Sequence, residues 1–335
     1  MLPGTKPGRG SALNGMTQDF RRGGMTKPDG GAAAPKPQEI EPCFHENWEQ
    51  RLRRWGLGAL YALKPSRIAL LPRLWLMTLT YYLTPRPERD ALPALPRFYS
   101  DRGLIGISND LSVPALLANY ARGYFPVCHI GPMKWWCPEE RAVLDPADSH
   151  MSNNVRRLIR KHKFTVTMDT DFAGVMEACA RPREHKTPLT WITPQIMRAF
   201  WSAYKAGYAH SVEVWDEKGN LVGGMYGLVI GKVYFGESKF SRVRDASKVA
   251  TAYLHRHLAA WGYVLCDAKW MTPHLESFGF HPMPRDQFLS LLPWYMEEPG
   301  HAGRWEIDPA LNLADGPKAP KNNPSAPPSS PRQVA

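Results

Sequence analysis

The chain has 335 residues, 42 Lys and Arg against 31 Asp and Glu, and a formal charge of +11 at neutral pH. With 43% apolar residues it can bury a sizeable core in one or two domains, and its basic balance favours a polyanion, RNA, DNA or anionic lipid, without choosing among them. Its five cysteines, Cys43, Cys128, Cys137, Cys179 and Cys266, form no CxxC pair, which argues against a disulfide framework or a zinc site and fits a reducing cytosol.

Residues 1–40 are rich in Gly, Pro, Ala and Lys, carry no apolar secretory signal, and are expected to be disordered. Residues 41–97 read as a basic and apolar helical extension, "NWEQRLRRWGLGALYALKPSR" then "IALLPRLWLMTLTYYL", closed by the Pro-broken linker "TPRPERDALPALPRFYS". The apolar segment Ile68 to Leu83 carries Pro72 and Arg73. It is shorter than the roughly 20 residues a membrane span needs. Packing on the main body is expected, with no stable membrane insertion and with interfacial attachment as the alternative.

The folded body should run over 98–296, with a disordered tail over 297–335. "SVPALLANYARGYF" reads as a helix capped by Ser112 and ended by Gly123. "SNNVRRLIRKH" is a second, basic helix, "FTVTMD" a strand, "DFAGVMEACA" a helix, and "TPQIMRAFWSAYKAG" an amphipathic helix ending at Gly207. "HSVEVWD", "LVGGMYGLVIG" and "KVYFGESKF" read as successive antiparallel strands. "DASKVATAYLHRHLAAWG" is a long helix and "YVLCDAKWMTPHL" opens as a buried strand. Strands followed by a long helix and another strand indicate an α+β fold, in the order found in acetyltransferase-like folds.

Two strands carry charge where an apolar strand should not. Alternation places Asp267 and Lys269 on one face of the last strand, and Phe235, Glu237 and Lys239 on one face of "KVYFGESKF". If both strands line one cleft, it holds two carboxylates and two amines. Residue types alone leave open a structural ion-pair network or a functional polar cluster. The run "NVRRLIRKHK" puts Arg156, Arg157, Arg160, Lys161 and Lys163 on a helix, suited to a phosphate backbone or to plain solvation. Trp135 and Trp136 suit core packing, with a stacking platform as the alternative. His150, His210 and His274 lack metal-ligand spacing, so no metal is expected. The junction "SRVRDASK" lacks the Gly-rich loop of an acetyl-CoA enzyme.

The strings "GLIGISNDLS", "LLANYARGYFP", "KWWCPEERAVL", "TWITPQI", "GYAHSVEVWDEKGNLVGGMYG", "FGESKFSR", "DASKVA" and "TPHLESFGF" occur in one order. Together they resemble the leucyl/phenylalanyl-tRNA–protein transferase family, over roughly Asp101 to Leu292. The resemblance implies a small N-terminal α/β domain at 98–148 and an acetyltransferase-like (GNAT-like) domain at 149–296 with a mainly antiparallel sheet. It implies a cytoplasmic enzyme that moves Leu or Phe from aminoacyl-tRNA to the N-terminal α-amine of an acceptor protein, marking it for N-degron degradation. No cofactor is implied, since the aminoacyl ester is already activated.

Carried over residue by residue, Asp267 and Glu237 keep the family's carboxylates, Ala268 stands at its Cys, Lys269 at its catalytic Gln and Lys239 at a pocket Met. Trp191 and Met225 match pocket positions, and Tyr234, Phe235 and Ser241 complete the implied aminoacyl and acceptor pocket. "SNDLS" replaces the family's "GGDLS". The basic helix is implied to bind tRNA. Two alternatives stand beside this reading: a catalytically altered tRNA- or protein-binding homologue, and an acyltransferase with another donor. Asp267 and Glu237 are expected to serve transfer but not folding. The two lysines are expected to cancel the carboxylates and favour an acidic acceptor residue or an unusual donor, unless Lys239 pairs with Glu237 and Lys269 with Asp267.

Overall fold

The computed structural model describes residues 44–64, 68, 71–85, 88–93, 103–181 and 189–314. The disorder expected over 1–40, and over the last part of the tail from 315, lies outside them. Within the extension expected at 41–97, the described residues form two α-helices. Helix α1 (Trp48–Ala62) starts with a capping box: the Asn47 side chain accepts from the Gln50 N–H, and the Gln50 side chain accepts from the Asn47 N–H. Helix α2 (Leu71–Leu83) follows. Both are tied to the body. Arg54 pairs with Glu46 at 2.8 Å and donates to the His129 carbonyl, while Asp90 accepts from Tyr81 of α2 and from the Asn109 N–H. Phe44, just ahead of α1, is buried in the main core.

A small antiparallel sheet comes next, ordered β1 (Leu104–Ile107), β3 (Lys134–Trp136), β2 (Phe125–Pro126). Between β1 and β2 lies α3 (Val113–Ala121), with Ser112 at its N-cap and Gly123, at φ +75°, turning the chain after it. Trp135 is fully buried and donates to the Ser108 carbonyl, and Trp136 donates to the Val127 carbonyl. The Trp pair is packing, not a free stacking platform.

The large sheet has seven strands in the order β10-β4-β9-β8-β7-β6-β5. In chain order these are β4 (Glu140–Leu144), β5 (Thr165–Met168), β6 (Ala209–Trp215), β7 (Leu221–Ile230), β8 (Val233–Ser241), β9 (Leu265–Asp267) and β10 (His281–Pro284). Every neighbouring pair is antiparallel except β8 with β9. That parallel pair needs a crossover, and α7 (Ala246–Ala260) supplies it. β4, which the sequence assigns to the small N-terminal domain, is hydrogen-bonded on both edges inside this sheet. The remaining helices are α4 (Asn153–Arg160), α5 (Phe172–Ala180), α6 (Pro194–Lys205), α8 (Pro273–Glu276) and α9 (Arg285–Glu297). The core has two layers. Residues of α3, α5, α6 and α9 cover one sheet face, and α7 with Phe278, Phe280 and Trp305 covers the other.

Two expectations need correction. The tail does not begin at 297. Residues 297–314 lie on the body, and Trp305 is fully buried, its ring stacked on His210 at 3.9 Å and its backbone N–H donated to Asp169. A disorder reading based on Pro, Ser and Lys content passes over this one large apolar side chain. The strand opening "YVLCDAKWMTPHL" is also shorter than its apolar pattern. β9 ends at Asp267, and Lys269 has left-handed backbone at φ +67°.

One buried acid makes stability depend on pH. Glu213 of β6 is fully buried and accepts from Ser211, Thr167 and the Thr170 N–H. Burial raises its carboxyl from an ordinary 4.5 to about 7, against the lowering effect of these donors. The folded chain therefore holds a proton that the unfolded chain releases between these values. This contribution is present below pH 4.5 and lost as pH rises through 7, in total about 3 kcal/mol. Glu213→Gln is expected to remove it, so that thermal unfolding of the variant gains on the parent between about pH 5 and pH 8. A constant difference across that range would show that Glu213 does not titrate.

Candidate active site

β8 and β9 are paired only over Val233–Phe235 and Leu265–Asp267. Beyond that point β8 runs on to Ser241 while the other chain segment turns away at Lys269. The sheet parts there. A β-bulge sits at the same place: Gly227 pairs with Gly236, but Tyr226 pairs with Ser238, so Glu237 is the extra residue. A bulge of this kind resets alternation for everything after it.

Glu237 meets Tyr120 of α3 and Lys269. Its Oε1 accepts from the Tyr120 hydroxyl at 2.8 Å and from Lys269 Nζ at 2.6 Å. Lys269 Nζ also donates to the Gly236 carbonyl at 2.7 Å. The Lys269 ammonium lies 5.6–5.9 Å from the rings of Tyr120, Phe125 and Phe235. Asp267 is held by Arg141 of β4, with Nε at 3.1 Å from Oδ1 and Nη2 at 2.5 Å from Oδ2. Both side chains are at most 1% exposed. Arg141 reaches the Gly123 carbonyl with its remaining nitrogen and lies over the rings of Phe288 and Phe125. Asp267 Oδ1 also accepts from the Lys269 backbone N–H, at 3.1 Å. The carboxylate thereby pins the left-handed turn that aims the Lys269 side chain at Glu237.

Burial pushes the Glu237 carboxyl up, and the Lys269 ammonium works against it. Burial and the nearby Glu237 push the Tyr120 hydroxyl well above its usual 10, so it stays a neutral donor. At Arg141 burial opposes the charge, but Asp267 outweighs it and the guanidinium's pKa is raised. The cluster thus holds two carboxylates and two cations, Arg141 and Lys269.

Of the four charged residues expected in one cleft, three are brought together. Asp267, Glu237 and Lys269 are brought together, but Lys239 is not with them. The bulge turns Lys239 opposite Met225, on the α7 face, where its ammonium lies 4.7 Å from the Phe278 ring centre. There it adds to the burial that lowers His255 to about 3 and His274 to about 4. The expected pairings also exchange partners: Lys269 binds Glu237, and Asp267 takes Arg141. Arg141 and Tyr120 do not stand out from the sequence pattern. An arginine inside the apolar stretch of "EERAVL" nonetheless carries the same signal that singles out Asp267.

The implied pocket residues divide between the two faces. Met225 and Tyr234 lie on the α7 face with Lys239; Phe235 lies on the opposite face, and the half-buried Trp191 packs against that core. Ser241 is exposed at the end of β8, bonded to the Val243 carbonyl and the Ser247 N–H. Of the basic run, Arg157, Arg160, Lys161 and Lys163 are exposed on or just after α4, with Lys163 paired to Glu217. Arg156 is buried and donates to the Ala314 carbonyl, so it belongs to the tail's attachment and not to a basic surface.

Family models match in two places: leucyl/phenylalanyl-tRNA protein transferase over residues 143–293, and the N-terminal domain of the same family over 109–139. A leucyl/phenylalanyl-tRNA–protein transferase of Pseudomonas syringae pv. syringae is 44% identical over 218 residues, which is 65% of this chain and 94% of the relative. The chain belongs to the leucyl/phenylalanyl-tRNA–protein transferase family. The transferase of the same name from Azotobacter vinelandii is 43% identical over 219 residues, 64% of this chain and 96% of that relative. Among solved structures, L-PGS from Bacillus licheniformis aligns over 45% of this chain and 48% of its own at 13% identity and a TM-score of 0.29, too low to bear on the fold. Family membership makes the chain one of a set of aminoacyltransferases. Both family matches begin after α1 and α2, so the two extension helices lie outside the matched segments. No described helix is long and apolar enough to cross a membrane.

Proposed function

We propose that the chain moves an aminoacyl group, Leu or Phe in the family, from tRNA to the N-terminal α-amine of an acceptor protein, and that the reaction occurs where β8 and β9 part. The observation that carries this reading is the buried Glu237, held on one oxygen by Lys269 and Tyr120. In the transfer the amine nitrogen bonds to the aminoacyl carbonyl carbon and the ester C–O bond to the terminal ribose breaks. The amine loses a proton and the ribose oxygen gains one. Lys269 as an ammonium has no lone pair to take that proton. Glu237 has one, and its raised pKa brings it nearer that of an amine. In this reading Glu237 is the proton acceptor. Lys269 and Tyr120 orient it, and Asp267 with Arg141 sets the turn. No cofactor is called for.

Of the implied pocket residues, Met225, Tyr234 and Lys239 lie together on the α7 face, so in this reading Lys239, at the family's pocket Met, bears on the choice of donor more than on the acceptor. The expected preference for an acidic acceptor weakens accordingly, because Lys239 is not in the cluster around Glu237 and Lys269 is already paired there. The test uses labelled aminoacyl-tRNAs with peptides that differ at residue one. Label in peptide supports the reading. Tight tRNA binding without transfer would favour the catalytically altered homologue, and transfer only from acetyl-CoA an acyltransferase of another kind. The reading places the enzyme in the cytoplasm, with its products entering N-degron degradation.

The tRNA interaction is proposed for the exposed part of the basic run. Arg157→Glu combined with Arg160→Glu is expected to weaken binding of all isoacceptors alike. The salt dependence should flatten by roughly one unit for each phosphate no longer engaged. Affinity and slope equal to the parent's, in filter binding across a salt series, would make this face merely solvated.

A further inference from the structure

Helix α1 presents Trp48, Leu52 and Trp55 at spacings of four and three residues, a single stripe, with exposures of 69%, 61% and 46%. Helix α2 repeats the pattern with Trp75, Leu79 and Tyr82, exposed by 71%, 57% and 62%. Trp55 and Tyr82 line the same groove against the body, so the stripes adjoin there. These are not frayed peptides, because the capping box, Arg54 and Asp90 hold both helices against the body. An exposed apolar area spread over two fixed helices is more than a monomer needs, and it lies outside the segment matched to the transferase family.

The chemistry beside the stripes selects the occupant. Arg51 and Arg53 are exposed on α1, with Glu49 as its one exposed acid, and the whole chain carries +11. Trp and Tyr have apolar rings with a polar edge and collect at the membrane interface; Leu side chains enter the acyl boundary beneath. Neither helix can span, so such a pair lies in the plane of the interface. We infer that α1 and α2 dock this enzyme on an anionic bilayer surface. A second copy of the chain would bring like charge against like and leave Arg51 and Arg53 without counter-charges.

The full-length chain should co-sediment with vesicles of phosphatidylcholine and phosphatidylglycerol about tenfold better than with phosphatidylcholine alone, and lose this preference in high salt. The combined variant Trp48→Ser, Leu52→Ser, Trp75→Ser, Leu79→Ser changes only exposed side chains. It should lower vesicle binding by about tenfold or more while transfer to peptide in solution stays at the parent's level. Equal binding by variant and parent, or no binding of the parent to either vesicle, overturns the inference. So does a concentration-dependent dimer that the variant abolishes without vesicle binding, which would assign the stripes to a second copy. The transfer assay runs without lipid, so failure here leaves the proposed activity standing.

Discussion

Asp267→Ala is expected to abolish transfer and to destabilise the fold by about 3–5 kcal/mol. The reason lies less in Asp267 than in what it leaves behind. Arg141 is fully buried, and its bidentate partner is this carboxylate. Without it a guanidinium stays charged in an apolar layer between Phe125 and Phe288. The sequence suggests that Asp267 serves transfer alone; the buried pair makes it serve folding as well. Asp267→Asn preserves shape but strands the same charge, so it should melt early too. The double variant Arg141→Met, Asp267→Leu removes both charges and should recover most of the stability. It should stay inactive, because the Lys269 N–H loses its acceptor and the turn is released. Urea unfolding with parallel transfer assays checks this. An Asp267→Asn chain with the parent's midpoint and rate would show that the pair holds neither.

Glu237→Gln is expected to lower transfer by about 100- to 10,000-fold; its amide oxygen can still accept from Lys269 and Tyr120, but the buried Lys269 ammonium loses its carboxylate, so the variant should also melt earlier than the parent. A partner variant tests the role through pH. Burial raises the Glu237 carboxyl and Lys269 opposes that rise. Lys269→Gln removes the opposition, so the pKa of Glu237 should climb. A base works only when deprotonated, so the acid limb of kcat/KM should shift to higher pH in Lys269→Gln. The limb should vanish when Glu237 is also replaced by Gln, leaving only residual activity. An acid limb that stays in place through both changes would remove Glu237 as the proton acceptor.

Much of this architecture is legible in the order of the amino acids alone. Ser112 and Gly123 bracket α3 as their backbone preferences require, and β6, β7 and β8 follow from alternation and from the turns between them. What alternation cannot show is a bulge. One extra residue at Glu237 sends Lys239 to the other face, and no local feature of "FGESKF" announces it beyond the glycine. Arg141 and Tyr120 are distant in sequence from the strands they serve, so strand-by-strand reading has no means of bringing them in. The order of Trp305 depends on a site built from Asp169 and His210, more than ninety residues upstream; composition windows are blind to such pairing. The ordered strings, by contrast, identify the family because they carry many positions at once.

The place of β4 also limits how this chain can be recombined. Its edges bond to β10 on one side and β9 on the other, while Arg141, on the same strand, reaches back to the Gly123 carbonyl beside the small sheet. A gene break between residues 139 and 149, which would suit two exchangeable modules, would part either this strand from its neighbours or the arginine from its carbonyl. A donated N-terminal piece with a different residue at 141 would bury Asp267 uncompensated in the host sheet. The two segments matched to the family are therefore coupled through β4 and Arg141, whereas α1 and α2 make no contact with that seam through the bonds that hold them, Arg54 to His129 and Tyr81 to Asp90.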